Sequence, residues 1–462
     1  MAIWQDYLTH HRDRFLAEFQ ELLAIPSVST NPARMTDVRR AAVFTADRLR
    51  QAGFSNAAVH ETTGHPVVLA SWLEAPGKPT VLVYGHFDVQ PPEPLELWTS
   101  PPFEPEVRDG RIYARGASDM KGNLMLAVAA CEAWLKTSGQ LPVNVRFLLE
   151  GEEEVGSASL PDFITAHRDL LQADLAVSAD SGQPGEDQPM LLTALRGLTG
   201  LQVDVRTART DLHSGLLGGI APNALHAMVE ILGSLRDSEG RIAVAGFHDD
   251  VRPLSEADRR EIADIPDDTP LLLGYAGIAA AVGDPDYTPR ERNWVRPTLD
   301  VNGLWGGYEG EGSKTVIPCE AHAKITCRLV PDQDPARVQE LVRSHILRHA
   351  PQGAEVSFQS LAGGALPYHI PDDHPGQAAA QRALTALYGK PPLHYRMGAS
   401  VPITAMLHAL LGIHTVSYGF GMFDENMHAP NEFMRLRNFE LGQTGFALLL
   451  EELGRQPRLG DA

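Results

Sequence analysis

Three short apolar runs within the first 180 residues each end in side chains that bind metal ions. Thr80–Tyr84 reads Thr-Val-Leu-Val-Tyr and runs into Gly85-His86-Phe87-Asp88. Val143, Val145, Phe147 and Leu149 alternate with other residues up to Gly151, where Glu152, Glu153 and Glu154 follow. Leu175–Ala179 ends in Asp180. Short apolar runs of this kind are what strands buried on both faces require. Helical patterns separate them: Asp37 to Gln51 with Gly53 as a stop, the segment from Gly122 through about Lys136, and Leu160 to His167. Alternating strands and helices predict an α/β domain with a mostly parallel central sheet flanked by helices. Ligands of such sheets lie beyond the carboxyl ends of the strands.

Taken alone, three adjacent glutamates are an ordinary solvated turn. Three strand ends together with Asp119, at a loop-to-helix junction, make a different case, because they bring carboxylates and an imidazole to one edge. A pair of divalent cations about 3.5–4 Å apart needs several carboxylates, a few imidazoles and one shared carboxylate. Zinc accepts histidine nitrogen and carboxylate oxygen, and manganese is compatible with the same donors. The ligands available are His86, Asp119, Glu154, Asp180 and His428. Asp88, two residues past His86, is placed to bond the other ring nitrogen and fix its tautomer. Hydrolysis also needs a base that is not a ligand, and Glu153 and Glu152 both qualify. Strand alternation would put Glu152 and Glu154 on one face and Glu153 on the other, unless the strand has ended at Gly151. Spacing does not choose between the two.

Bulk properties narrow the class. The chain has 462 residues, too many for one ordinary core, and a net charge of −20, which argues against nucleic acid or anionic membranes as partners. Three cysteines (Cys131, Cys319, Cys327) without a CxxC give neither a disulfide framework nor a thiolate zinc site. The absence of an apolar leader or a long apolar window leads to the expectation of a cytoplasmic protein with no membrane span.

Further along, Tyr7 to Leu23 has helical spacing and predicts one helix, and Asp109-Gly110 predicts a hairpin turn. From about Leu191 the pattern changes. Leu201–Val205 and Ala321–Leu329 alternate as strands, Pro222–Leu235 and Pro335–His349 read as helices, and Ala354–Gln359 is another strand. Residues 240 to 298 are rich in Asp, Arg and Pro with weak periodicity. This run predicts an α+β domain inserted into the first. The expected division is 1–190 and 367–462 for the first domain and 191–366 for the insertion. Residues 376–388 and 403–410 read as helices, 413–418 as a strand, and a last helix runs to about Leu453.

Four motifs, in this order, resemble the M20 metallopeptidases: Gly85-His-Phe-Asp-Val-Gln-Pro91, Arg115-Gly-Ala-Ser-Asp-Met-Lys-Gly122, Glu150-Gly-Glu-Glu-Glu-Val-Gly-Ser157 and His428-Ala-Pro-Asn-Glu432. The resemblance covers nearly the whole chain. It implies one metal on His86, Asp119 and Asp180, a second on Asp119, Glu154 and His428, and Asp119 as the bridge. It makes Glu153 the general base activating a metal-bridged water and Asp88 the orienter of His86, and it leaves Glu152 without a role. It also implies a cis peptide between Asp119 and Met120, where the family often has a second Asp in place of Met120. Two divalent ions are expected, zinc first, with manganese or cobalt as alternatives.

In the inserted domain, His213 of Asp-Leu-His-Ser-Gly resembles the histidine that crosses a homodimer to polarise the partner's scissile carbonyl. Asn302, Arg328, Gly398 and Ser400 resemble positions binding the substrate's carboxylate end, a task suited to a planar guanidinium. Ser400 is equally well read as a helix N-cap. Ala399 is a small departure in a site that is glycine-rich in other members. The long insertion, roughly 170 residues, and Asn302-Gly-Leu-Trp-Gly-Gly-Tyr308 look most like the carnosinase-type dipeptidases. The expected reaction is amide hydrolysis in a small peptide. An N-acyl-amino-acid deacylase and a catalytically silent scaffold are the rivals. His10, His11, His226 and His394 read as ordinary polar residues and Cys131 as core.

Overall fold

The structure, a computed structural model, describes residues 3–183, 185–361 and 363–456. The chain divides into two compact units. The first comprises Met1–Leu192, Ile370–His394 and Met406–Ala462, and the second Thr193–His369 and Tyr395–Ala405. The second unit thus takes 395–405 out of the stretch expected for the first. The reason is local: within that unit the Arg196 amide donates to Ala399 O and Arg328 Nη1 donates to Ser400 Oγ.

In the first unit a six-stranded sheet runs in the order Ala58–His60, Val67–Trp72, Asn144–Glu150, Thr80–His86, Leu175–Ser178 and Thr415–Ser417. Its last four strands are mutually parallel, and Val67–Trp72 and Ala58–His60 extend it antiparallel. Val81, Leu82, Val83 and Tyr84 are all buried, as their unbroken apolar run requires. The strand extends past that run to His86, paired with Glu150, so two candidate loops leave the sheet side by side. Helix Gly122–Ser138 is almost wholly buried and packs against Ile3–His10, Met35–Ala52 and Leu436–Gly454. The single helix expected over Tyr7–Leu23 is instead two, Ile3–His10 and Arg12–Leu23. They kink at His11, whose ring stacks on Tyr7 and bonds the Tyr7 carbonyl through Nδ1 at 2.9 Å. Asp109-Gly110 turns the expected hairpin.

The second unit is built on an antiparallel sheet in the order Thr298–Gly306, Glu320–Leu329, Gly197–Arg206, Glu355–Ser360. Alternate residues of its central strands are buried, and helices Ala224–Gly233 and Pro335–His349 share that core. The weakly periodic stretch holds three short helices: Glu256–Asp264, Thr269–Ala276 and Pro289–Val295. Capping boxes at Ser255/Asp258 and Thr288/Glu291 start two of them, so local polar chemistry supplies what hydrophobic period does not. Among the described residues no helix is long and apolar enough to cross a membrane.

Candidate metal centre

His86, Asp119 and Asp180 form one trio of ligand atoms, and Asp119, Glu154 and His428 a second, with all atoms of each trio within 4.8 Å of one another. His86 Nε2 lies 3.3 Å from Asp119 Oδ1 and 3.9 Å from Asp180 Oδ2. His428 Nε2 lies 2.8 Å from Asp119 Oδ2 and 3.4 Å from Glu154 Oε2. Asp119 therefore offers one oxygen to each trio. The peptide between Asp119 and Met120 is cis.

The fold sets these side chains through the residues behind them. His86 Nδ1 donates to the Asp88 carbonyl at 3.1 Å, with Asp88 Oδ1 at 3.4 Å. That bond leaves the Nε2 lone pair free. The buried Asp88 carboxylate also accepts the amides of Glu153 at 3.3 Å and Glu154 at 3.1 Å. One side chain thus fixes a ligand ring and the acidic turn. The strand ends before that turn, at Glu150, and Glu153–Val155 is a 3-10 turn, so adjacent glutamates can diverge. Gly151 permits the tight turn: a Cβ there would lie 2.6 Å from Phe87 Cε2.

The three glutamates take separate places. Gln90 Nε2 donates to Glu154 Oε2 at 2.7 Å. Glu153 belongs to neither trio. Glu152 turns away and is buried, accepting from the Ser159 hydroxyl and, at 3.2 Å, from its amide. Its place is that of a structural anchor for the following helix.

Two residues were not singled out from sequence. Glu432, fully buried, accepts from Arg115 Nη1 at 2.7 Å and from the amides of Gly116, Ser118 and Asp119 at 2.9, 3.0 and 3.0 Å. It clasps the loop carrying Asp119 to the loop carrying His428. Glu425 adds a bond from Ser118 Oγ at 2.6 Å. Four-residue spacing from His428 was the available signal for Glu432, but its partner loop lies over three hundred residues away in sequence.

The electrostatics are those of a site short of positive charge. Burial, reinforced by Asp180, Glu154 and Asp119 against the opposing pull of His86, pushes the Glu153 carboxyl up to about 9. Burial likewise raises Asp180 to about 7, with Asp119 and Glu154 outweighing His86 and His428. For Asp119 burial is overcome by the hydrogen bond from His428 and by the nearness of the His86 and His428 rings, which hold it below the usual range. His428 rises to about 10 through its bonds to Asp119 and Glu154. His86 Nε2 and Glu154 Oε1 are buried with no hydrogen-bond partner. Unpartnered ligand atoms beside crowded carboxylates fit divalent cations, which would satisfy both.

In the second unit His213 is an exposed N-cap whose Nδ1 accepts the Gly215 amide at 3.0 Å, so its proton sits on Nε2. Arg328 Nη1 donates to Ser400 Oγ at 2.9 Å, two residues ahead of helix Pro402–Leu411. Gly398 is held beside them by Arg196. Asn302 is not brought to this group. It lies exposed at a bulge between Val301 and Gly303, whereas Arg328 pairs with Thr298 at the start of that strand.

The model of the peptidase family M20/M25/M40 matches residues 82–452. The chain belongs to that family. It is a metallopeptidase. It is 30% identical to the human Beta-Ala-His dipeptidase, over 97% of this chain and 92% of the relative. It is 29% identical to the Cys-Gly metallodipeptidase of Saccharomyces cerevisiae, over 96% of each. A solved M20-family metallo-carboxypeptidase from Sulfolobus solfataricus superposes with a TM-score of 0.81 at 31% identity, covering 96% of this chain and 99% of that one. In this metallopeptidase the residues matched by the family model include all five candidate ligands.

Proposed function

We propose that this metallopeptidase is a dinuclear dipeptidase that hydrolyses the amide bond of dipeptides or short peptides with a free carboxylate end. The observation that carries the reading is Asp119, which offers one oxygen to each of two ligand trios. The relatives' names support the substrate class, since both are dipeptidases. His86, Asp119 and Asp180 would hold one ion, and Asp119, Glu154 and His428 the other. Zinc suits the mixed nitrogen and oxygen donors, with manganese and cobalt as alternatives. When bound, two such ions act as Lewis acids on the scissile carbonyl and lower the pKa of water.

The chain's own groups complete the reaction. Glu153, outside both trios, takes the proton of the attacking water. The water oxygen bonds the carbonyl carbon, the carbon–nitrogen bond breaks, and Glu153 passes the proton to the leaving amine. Asp88 keeps the His86 ring and the Glu153 turn in register. His213 donates its Nε2 proton to the developing oxyanion. We assign this histidine to the active site of a partner subunit, which makes the working form a homodimer; a fully active monomer in sedimentation would refute that. Arg328 and Ser400, with Gly398, receive the substrate's carboxylate end, and Asn302 stands as a more distant contributor.

The decisive experiment is Glu153→Gln. It should retain two metals per chain by elemental analysis and lose about 10²–10⁴-fold in kcat; retention of full activity overturns the assignment. Dipeptides should be hydrolysed faster than N-acetyl amino acids, which separates this reading from a deacylase.

A further inference from the structure

The extended segment that leaves the strand Thr80–His86 alternates its side chains between core and site. Phe87 and Val89 belong to the core, while His86, Asp88 and Gln90 take the alternate positions. Two of those three already have a place. His86 stands in one ligand trio, and Asp88 lies behind its ring and behind the acidic turn. Gln90 is the third, and its side chain runs to the other trio. Its Nε2 donates to Glu154 Oε2 at 2.7 Å. That oxygen lies 3.4 Å from His428 Nε2, so the amide grips Glu154 at the atom nearest its fellow ligand. The Glu154 side chain is only 3% exposed, so water has little room to stand in for the amide. Glu154 Oε1 is left buried without a hydrogen-bond partner among the described residues.

The backbone around Gln90 is fixed on both sides. Val89 forms a bridge with Val28, and its amide donates to Ser27 O at 3.0 Å. Pro91 keeps Gln90 out of the helical region, and the Pro91 carbonyl accepts from Arg115 Nη2 at 3.1 Å. A side chain carried on so fixed a backbone is a preformed donor. Its chemical type fits the task. A ligating carboxylate is ionised and only accepts, so the group that faces it must donate. Lysine or arginine would donate too, but would set a positive charge beside the ion. Glutamine donates without that charge. Among the described residues Gln90 bonds none of His86, Asp119 and Asp180, so its effect falls on one trio and not on the other.

We propose that Gln90 is the positioning residue of the second trio: it holds the Glu154 carboxylate in the orientation that ligation together with Asp119 and His428 requires, and so sets the affinity of that trio for its ion independently of the first. The inference rests on the dinuclear reading of the site. It makes the two ions unequal, because a single neutral side chain outside the ligand set governs how firmly one of them is held.

The test follows uptake of cobalt by the full chain after its metal has been removed, by calorimetry and by visible absorption, whose bands report the coordination geometry of each ion. The parent should take up two ions. His428→Ala, which removes a ligand of the second trio, supplies the spectrum of the first ion alone. Gln90→Leu is of similar size but has no donor. It should weaken the second uptake step about 10–100-fold, leave the first unchanged and alter the visible bands of the second ion at saturation. Gln90→Lys keeps a donor and adds a charge, and should weaken the second step further than Gln90→Leu does; it decides the matter if the leucine variant does not fold. Equal weakening of both steps overturns the proposal, because it reduces Gln90 to a pin for its loop. So does an unchanged second step, or second-ion bands identical to those of the parent. A parent that takes up one ion only overturns the dinuclear reading and this inference with it, whereas two ions in the parent and an unshifted second step in the variants overturn the role of Gln90 alone.

Discussion

Helix Gly122–Ser138 connects two groups of buried charges that are composed in opposite ways. On the helix, Glu132 accepts from Arg14, Arg48 and the Tyr7 hydroxyl, while Glu18 shares both arginines. Every carboxylate there has a cation, and although burial pulls Glu132 upward, Arg48 and the hydrogen bonds from Arg14 and Tyr7 hold it below its ordinary value. Just ahead of the helix, Asp119 gathers with Glu153, Glu154 and Asp180 around two imidazoles, and burial raises Glu153 and Asp180. A balanced network is complete as protein and contributes structure. A network with surplus negative charge would be completed by cations, and that surplus sets the candidate site apart more clearly than burial does.

The contrast is open to test, beginning with the strongest effect. Chelation should abolish peptidase activity while leaving helix content by circular dichroism intact, and zinc, manganese or cobalt should restore it. Asp119→Asn, which weakens both trios, should lower bound metal from two ions per chain to below one and cut activity by about 10³-fold or more. Survival of both ions would remove Asp119 as the bridge. In the balanced network, Glu132→Ala should cost about 1.5–3 kcal/mol in denaturant unfolding, since it leaves Arg48 and Arg14 with Glu18 alone, yet leave kcat of the folded enzyme unchanged. Glu432→Gln lies between the two kinds. Losing half of the clasp should weaken metal binding about 10–100-fold in competition titrations, with a smaller change in stability.

The mildest effect is on pH dependence. In metal-free protein Glu153 at about 9 and Asp180 at about 7 lie above their unfolded values, so the folded state holds protons the unfolded state has released. Stability from these groups is therefore lost as pH rises from mild acid toward about 9. Glu132 is depressed, so its contribution is present above the ordinary carboxylate range and lost as pH falls through its folded value. Melting temperature of the metal-free chain should accordingly peak in mild acid, and metal should move the peak toward neutrality. A profile unaffected by metal would break the comparison.

Much of the candidate site was legible because the residues of its two trios stand in short local patterns. His86, Glu154 and Asp180 follow strands whose apolar patterns are plain, and the four motifs stand in a known order. What was hidden depends on contacts between distant segments. Glu152 cannot be separated from its neighbours until Ser159 is seen to bind it. Glu432 acquires meaning only when the loop at 115–119 is seen to donate to it. The helices between 255 and 295 escaped hydrophobic periodicity because only Ile262 and Glu291 are buried among their residues, yet Ser255-x-x-Asp258 and Thr288-x-x-Glu291 announced two of them. The kink at His11 follows from ring contacts that periodicity cannot report.

The division of the chain bears on how the molecule is made. His86, Asp119 and Asp180 all precede the second unit, so a chain emerging from the ribosome carries one full trio before any of that unit is made. The other trio waits for His428, and Glu432 arrives four residues later to lock that loop onto the one bearing Asp119. A product that stopped before His428 would possess one trio but not the other.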